Sequence, residues 1–347
     1  MTDLDRRNFL AGAVTTLGLT AAGATSTWAG FAQTSSSPSR TIIDVHHHYG
    51  PPTWVAAMKG NPMLQPANTT WTPEKSLEDM DRGGASAAVL SITNPGLYTG
   101  DKAQAVRLAR ECNDFGAKVV QSHPTRFGLF AAMPLPDVDA TLKEIEYAYD
   151  QIHADGVAFM TSYNDTWLGN SAYRPVMEEL NRRNAVVFTH PTAADCCRNL
   201  NYGVPPSSME YGTDTTRAII GVCFSGDAAR FPNIRWIWSH GGGTMPFLAG
   251  RVAGAAGNAK QQLPNGLMPE LKKFYYDLAG AANAGVVASL KQLVSTDKIL
   301  FGTDFPPGGH ILETSQAIRS LNMFSESELK LIERDNAVNL LPRLKNS

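Results

Sequence analysis

The chain is short of several things that would narrow its role. Charged residues are only 18% of its 347, split as 30 Lys and Arg against 32 Asp and Glu, for a formal net charge of -2. No basic stripe interrupts that balance, so electrostatics names no nucleic acid or other polyanion as a partner. Cysteine is scarce. Cys112, Cys196, Cys197 and Cys223 show no metal-ribbon spacing, and a bridge between the neighbours Cys196 and Cys197 would be strained, so no disulfide framework is expected. No apolar run reaches the ~20 residues of a bilayer span, which leaves no stable membrane anchor. No internal repeat recurs at a solenoid period. What is present is an enzyme-like composition, 43% hydrophobic, in a chain long enough to bury a large core.

The first apolar run has a different meaning. Asp5-Arg6-Arg7-Asn8-Phe9-Leu10 is a twin-arginine signature with Thr2 upstream, and a stretch rich in Ala, Gly and Leu follows to about Ala22. That stretch is too short and too weakly apolar to stay in a membrane, and it fits the middle region of an export signal. Residues 1–32 are read as a twin-arginine signal peptide with cleavage between Ala24 and Ala32, and residues 33–40, with Thr34-Ser35-Ser36-Ser37-Pro38-Ser39, as a flexible linker. The expected location is periplasmic or secreted. Twin-arginine export carries folded proteins, which suits a protein that loads its cofactor first.

Residues 41–347 alternate short apolar runs with longer amphipathic ones. Strand candidates are Ile42-Val45, Ala87-Ile92, Phe127-Ala131, Val157-Met160, Val186-Thr189, Ile234-Trp238, Phe274-Asp277 and Lys298-Phe301. Helical patterns fall at 73–82, 101–121, 137–153, 171–183, 213–230, 244–260, 283–294 and 310–320. Eight strands alternating with helices predict a parallel sheet, and the count predicts closure into a single-domain (β/α)8 TIM barrel. Thr72 before Pro73, and Ser325 three residues before Glu328, are helix-start signals. The long loops at 50–72 and 192–212 follow strand ends and are expected to build the mouth.

The chemistry gathers at those ends. In Thr41-Ile42-Ile43-Asp44-Val45-His46-His47-His48 the strand period of two puts His46 and His48 on one face and turns His47 away. Two neutral imidazoles on one face suit a divalent metal, and Asp44, of the same parity, is placed to orient the strand end or a ligand histidine. His190 ends the fifth strand candidate, His240 the sixth before Gly241-Gly242-Gly243, and Asp304 follows the eighth. A barrel collects strand C-termini on one rim, so His46, His48, His190, His240 and Asp304 should converge. His123, His153 and His310 lie near helix ends and read as surface or capping residues.

These motifs, with Gly302-Thr303-Asp304-Phe305-Pro306, resemble the amidohydrolase superfamily. Trp167-Leu168-Gly169-Asn170, Val187-Phe188-Thr189-His190-Pro191 and Ser239-His240-Gly241-Gly242-Gly243-Thr244-Met245-Pro246-Phe247 look like its metal-dependent decarboxylase branch. That branch includes aminocarboxymuconate-semialdehyde, γ-resorcylate and 6-methylsalicylate decarboxylases, and the resemblance is strongest to the last. It covers nearly all of residues 41–344. By position it implies one divalent ion on His46, His48, His190 and Asp304, Zn2+ first with Mn2+ as the alternative, and His240 as general acid/base. It also implies a homodimer in which Arg251, eleven residues after His240, grips a substrate carboxylate in the neighbouring subunit's site. The fourth strand candidate ends Phe159-Met160-Thr161, without the lysine that bridges two metals in other members, which favours one ion.

The expected activity is non-oxidative decarboxylation of a small hydroxylated aromatic or related carboxylic acid. Asp304 or His240 would protonate the ring carbon that bears the carboxylate; a rival route adds hydroxide to an adjacent carbon while His240 takes its proton. Trp54, Tyr202 and Phe305 are available to stack on a ring. The alternative activity is hydrolysis of an amide, ester, lactone or carbon–carbon bond by the same ligand set, which would suit an exported protein acting on an external compound.

Overall fold

Eight strands succeed one another in chain order around one parallel sheet in the computed structural model, which describes residues 41–197 and 202–347. They are β1 (Ile42–His48), β2 (Ala85–Ser91), β3 (Phe127–Ala132), β4 (Gly156–Met160), β5 (Val186–His190), β6 (Arg235–Trp238), β7 (Tyr275–Asp277) and β8 (Ile299–Leu300). Backbone bonds between β1 and the chain that follows β8 complete the ring: Val45 N donates to Phe301 O (3.1 Å), Asp304 N to His46 O (2.9 Å) and His48 N to Phe305 O (2.7 Å). The predicted TIM barrel is therefore present, with every predicted strand in it. The signal and linker expected over residues 1–40 lie outside the described residues.

The apolar runs are continuous because both faces of each strand are covered. Ile43, Val45, Ala87, Val89, Phe130 and Phe188 fill the barrel interior with side chains from the other strands. The alternate residues, such as Ile42, Ala88, Leu90 and Val187, pack outward against the helices. The chain's own end completes the interior: Ala337, Leu340, Leu341 and Leu344 join the same apolar cluster. Arg235 donates to Leu340 O (3.2 Å), Arg343 to Phe127 O (2.8 Å) and Asn336 to Ile299 O (2.8 Å), so this segment closes the end of the barrel where strands begin.

Helix starts follow their signals. Thr72 accepts from Lys75 N at the head of Pro73–Gly83, and Ser325 and Glu328 form a reciprocal capping box at the head of Glu326–Lys330. The region expected as a helix over 213–230 is instead a longer helix, Pro206–Phe224, followed by the short Asp227–Arg230. Pro206 at the first helical position starts it early, and Gly226, at φ 84°, separates the two. A small antiparallel hairpin, Ser162–Tyr163 with Thr166–Trp167, was not anticipated. Its turn residues Asn164 and Asp165 both have positive φ (46° and 56°), the conformation a two-residue hairpin requires. Among the described residues no helix is long and apolar enough to cross a membrane.

Candidate active site

At the rim where the strands end, β1 presents His46 and His48 to one point, their Nε2 atoms 3.1 Å apart. His190 reaches it from the end of β5. Asp304 comes from the turn after β8, whose backbone is left-handed at φ 63°. Its Oδ1 lies 2.9 Å from His48 Nε2, 3.3 Å from His46 Nε2 and 3.7 Å from His190 Nε2. One ligand-type atom from each of the four falls within 4.8 Å of all the others. Gly308 lets the turn close on this carboxylate, since a Cβ there would stand 2.2 Å from Asp304 Oδ2.

The far side of each ring fixes which nitrogen faces inward. His46 Nδ1 is 3.0 Å from Asp277 Oδ2, His48 Nδ1 3.2 Å from Ser91 O, and His190 Nδ1 2.9 Å from Pro191 O. Carboxylates and carbonyls only accept, so each Nδ1 carries a hydrogen, and Nε2 is the nitrogen left facing the common point. Three imidazole nitrogens and a carboxylate oxygen, oriented from behind, fit a divalent cation. Burial sets the protonation of two rings: it pushes His48 and His190 down to about 4, despite the nearby Asp304 carboxylate. For His46 burial works the same way but loses to the charge and hydrogen bond of Asp277, helped by Asp304, and its pKa rises to about 10. Burial would raise the Asp304 carboxyl, but its contacts with the His190, His46 and His48 rings and the charge of His46 outweigh it and hold the group well below the usual range.

His240 stands beside this cluster, its ring centroid 4.8 Å from that of His46 and 5.7 Å from that of His190. Its N–H donates to Asp277 Oδ1 (3.0 Å) and its Nδ1 to Ala279 O (2.8 Å). Its Nε2 is buried with no partner among the described residues. A buried polar atom without a partner is costly, so this nitrogen is open to a ligand or a water. The glycines after it permit the turn: Gly243 has φ 63°, and a Cβ there would sit 2.2 Å from Gly212 O on the neighbouring helix. Burial pushes the His240 imidazole below its ordinary pKa.

The five strand-end residues named from sequence thus meet, and other expectations fall elsewhere. His47 does turn away, bonded to Asp44 (3.0 Å) and Ser76 (2.8 Å) and stacked on Phe305 at 4.4 Å. Asp44 holds the strand end, accepting from His46 N (3.0 Å) and from Thr303 N (3.1 Å) and Oγ1 (2.6 Å), and touches no ligand ring. Phe305 is engaged with His47, Trp54 is buried with its indole donating to Gly96 O (2.8 Å), and Tyr202 is 96% exposed, so none of the three is posed over the cluster. Arg251 is exposed on the helix Met245–Ala255. Of the other histidines, His123 follows a helix end, His153 bonds Tyr149 O (3.2 Å), and His310 precedes Ile311–Ser320 and pairs with Asp79 (2.8 Å).

Sequence reasoning missed Asp277. It spans the site, one oxygen on His46 Nδ1 and the other on the backbone of His240 and of Ala279 (3.0 Å). The signal was available, since Asp277 ends β7 as the other site residues end their strands. Thr161, just past β4, donates to His190 O (2.9 Å), and Tyr211 brings its ring within 6.1 Å of His190.

Known proteins sort this arrangement. The amidohydrolase family model matches residues 43–343. The chain belongs to the amidohydrolase family. Among characterised relatives, decarboxylase yanB of Aspergillus niger is 38% identical over 87% of this chain and 87% of its own length. The 6-methylsalicylic acid decarboxylase of Penicillium expansum is 34% identical over 87% of this chain and 97% of its own. A solved structure named amidohydrolase II superposes with a TM-score of 0.81 at 27% identity, covering 87% of this chain and 99% of that one. At 21% identity and a TM-score of 0.77, covering 87% and 97%, a dihydroxybenzoic acid decarboxylase from Polaromonas shares the fold; it was solved with bound manganese and the inhibitor 2-nitroresorcinol.

Proposed function

We propose that this amidohydrolase-family chain is a carboxy-lyase that removes carbon dioxide, without oxidation, from a small hydroxylated aromatic acid. One observation carries the reading: His46, His48, His190 and Asp304 converge within 4.8 Å in a chain 38% and 34% identical to decarboxylases. In this reading those four residues hold one divalent ion, Zn2+ first because three neutral imidazoles suit it, with Mn2+ as the alternative. When bound, the ion supplies positive charge against the substrate carboxylate and its ortho oxygen.

The protein's own groups do the rest. His240 keeps its Nδ1 hydrogen on Ala279 O, so Nε2 is the nitrogen that exchanges a proton with the ring carbon losing its carboxylate. Asp304, 20% exposed at its side chain and touching all three imidazoles, is the second proton carrier within reach of the same point. Asp277 fixes His46 and the His240 backbone together, so ligand and acid/base hold one geometry.

The reading includes a homodimer. Tyr202, Val204, Met209 and Phe247 are the exposed large apolar side chains among the described residues. The helix of Met209 meets the start of the helix of Phe247 where Thr216 and Thr244 share a hydrogen bond of 2.8 Å. Exposed large apolar side chains on two adjoining elements support a protein contact there. In this reading Arg251, exposed one turn beyond Phe247, is the residue that grips a substrate carboxylate in the neighbouring subunit's site. Export through the twin-arginine signal over residues 1–32 completes the reading; Arg6→Lys with Arg7→Lys should leave the protein in the cytoplasm, and unchanged export removes that part.

The deciding experiment loads the purified chain with Zn2+ or Mn2+, measures bound metal, and screens hydroxybenzoates for evolved carbon dioxide. Carbon dioxide release without water uptake is expected. Water addition without carbon dioxide, or no turnover by fully loaded protein, overturns the assignment.

A further inference from the structure

Asp214, 1% exposed on the helix Pro206–Phe224, lies outside the four-residue cluster. Its helix runs tight against the hairpin that follows β4: farther along, a Cβ on Gly221 would stand 2.4 Å from Leu168 O. That approach lets the carboxylate take four donors, all uncharged. Trp167 Nε1 donates to Oδ1 (2.6 Å). Oδ2 accepts from Thr161 Oγ1, from Ser162 Oγ (3.2 Å) and from Thr192 N (3.1 Å). Burying a carboxylate is costly unless donors meet it, and bonds to a charged acceptor are the strong ones. Asp214 is thus a fixed junction between the end of β4, the hairpin and the turn after β5.

Two of its four donors lead directly to His190. Thr161 N donates to His190 O (2.9 Å), which ties the end of β4 to the end of β5. Thr192 N belongs to the peptide unit shared with Pro191. That unit is trans, so its N–H and its C=O point in opposite directions from one rigid plane. Asp214 Oδ2 holds the N–H end. The C=O end accepts from His190 Nδ1 (2.9 Å) and from Asn94 Nδ2 (2.8 Å). The carbonyl that keeps a hydrogen on His190 Nδ1 is therefore aimed by a carboxylate that makes no hydrogen bond to any of the four cluster side chains. If the plane turned, that hydrogen would find acceptors at Nε2 instead, where Thr93 Oγ1 lies 3.3 Å and Asp304 Oδ1 3.7 Å away. The nitrogen that faces the cluster would then be closed to a cation.

We propose that Asp214 is a positioning residue for the metal centre: by holding Thr161 and the Pro191–Thr192 peptide, it keeps His190 as the Nδ1–H tautomer with Nε2 open to the ion. The proposal rests on the one-ion part of the reading above. It goes beyond that reading by giving a carboxylate outside the ligand set control over a ligand's tautomer.

The test is Asp214→Asn, which keeps the shape and turns one oxygen into an NH2. The close indole N–H of Trp167 holds the amide oxygen, so the NH2 faces the Thr161 and Ser162 hydroxyls, which can accept, and the Thr192 N–H, which cannot. Nitrogen-15 NMR of the metal-stripped full chain reads the tautomer, with the His190 signal identified by its loss in His190→Ala. The parent should show Nδ1–H, and Asp214→Asn should move the ring toward Nε2–H. Zn2+ affinity, read by competition with a chelator, should fall about 10–100-fold, the usual weight of a group that orients a ligand. Asp227→Asn, at a buried carboxylate paired with Arg174, should change neither readout. An unchanged tautomer in Asp214→Asn overturns the proposal whatever happens to stability, and so does a shifted tautomer with unchanged affinity. If Asp214→Asn does not fold, the unsubstituted metal-free protein decides. His190 as Nε2–H, or a Thr192 amide hydrogen that exchanges as fast as an unprotected one, overturns the proposal; Nδ1–H with a protected amide upholds it. If the parent binds no ion, the one-ion reading fails, and the tautomer, which needs no ion to be read, still decides whether Asp214 sets it.

Discussion

At the end where the strands begin, the barrel is sealed by Leu340, Leu341 and Leu344 packed under Ile43, Val45 and Phe188, and Arg343 at the seal is paired with Asp155 at 2.7 Å. At the end where they finish, the strands and the turns that follow them carry four buried or part-buried metal-competent side chains and a histidine whose Nε2 has no partner among the described residues. One end is closed by apolar packing and an ion pair; the other gathers groups that call for a ligand. That difference separates residues that keep the fold from residues that do chemistry, although both sets are largely buried. Burial alone would not have told Leu344 from His46, each at 0% exposure.

Substitutions at the two ends sharpen the contrast. The largest effect is expected from Asp304→Asn or His190→Ala, which should lower bound metal and abolish turnover while the melting temperature of the metal-free protein changes little; full metal occupancy in either variant would break the ligand assignment. His240→Ala should cost about 10²–10⁴-fold in kcat, the usual weight of a general acid/base, with metal content intact. Metal loss in that variant would make His240 a ligand instead. At the other end, Leu344→Ala should destabilise the fold by about 2–5 kcal/mol with kcat unchanged below the transition; a kcat loss without destabilisation would contradict the division between the ends.

Two smaller effects probe the mouth from behind. Asp277→Asn keeps the shape but weakens the partner of His46, and metal affinity should fall about 10–100-fold; an unchanged affinity would show that His46 needs no orientation. The pH dependence follows from the three rings. His48 and His190 are held near 4, so both are neutral at pH 7, whereas His46 is raised to about 10 and keeps its proton. In the metal-free protein the stabilisation from protonated His46 is full below its ordinary value of 6.5 and is lost as pH rises through about 10. Metal must displace that proton, so calorimetry in buffers of different ionisation enthalpy should read about one proton released per ion. Affinity should then rise about tenfold per pH unit between about 5 and 9; a value near zero, or near three, protons would show that the rings are not tuned apart.

Much of this contrast was legible from the chain. The strand runs, the capping signals at Thr72 and Ser325, and the placement of His46, His48, His190, His240 and Asp304 at strand ends are all local patterns. The unread parts had non-local causes. The turn of the hairpin at Asn164-Asp165 has its signal, but its strands are only two residues each, below any periodicity. Pro206 began a helix inside what read as loop, because proline marks loops and first helical turns alike. Trp54, Tyr202 and Phe305 looked equivalent as ring-stacking candidates, and only packing distinguished a buried, an exposed and a stacked aromatic.

The sequence by itself determined the barrel and which side chains stand at its rim, because alternation with period two or 3.6 is enforced within a few residues by backbone geometry. Tertiary structure decided how those side chains act together. His48 and Asp304 are 256 positions apart, and barrel closure is what brings them to 2.9 Å. It likewise placed Asp277 behind both His46 and His240, and so chose which ring nitrogens face inward. No local pattern encodes that choice, because a tautomer is fixed by whatever acceptor the fold brings to the other side of the ring.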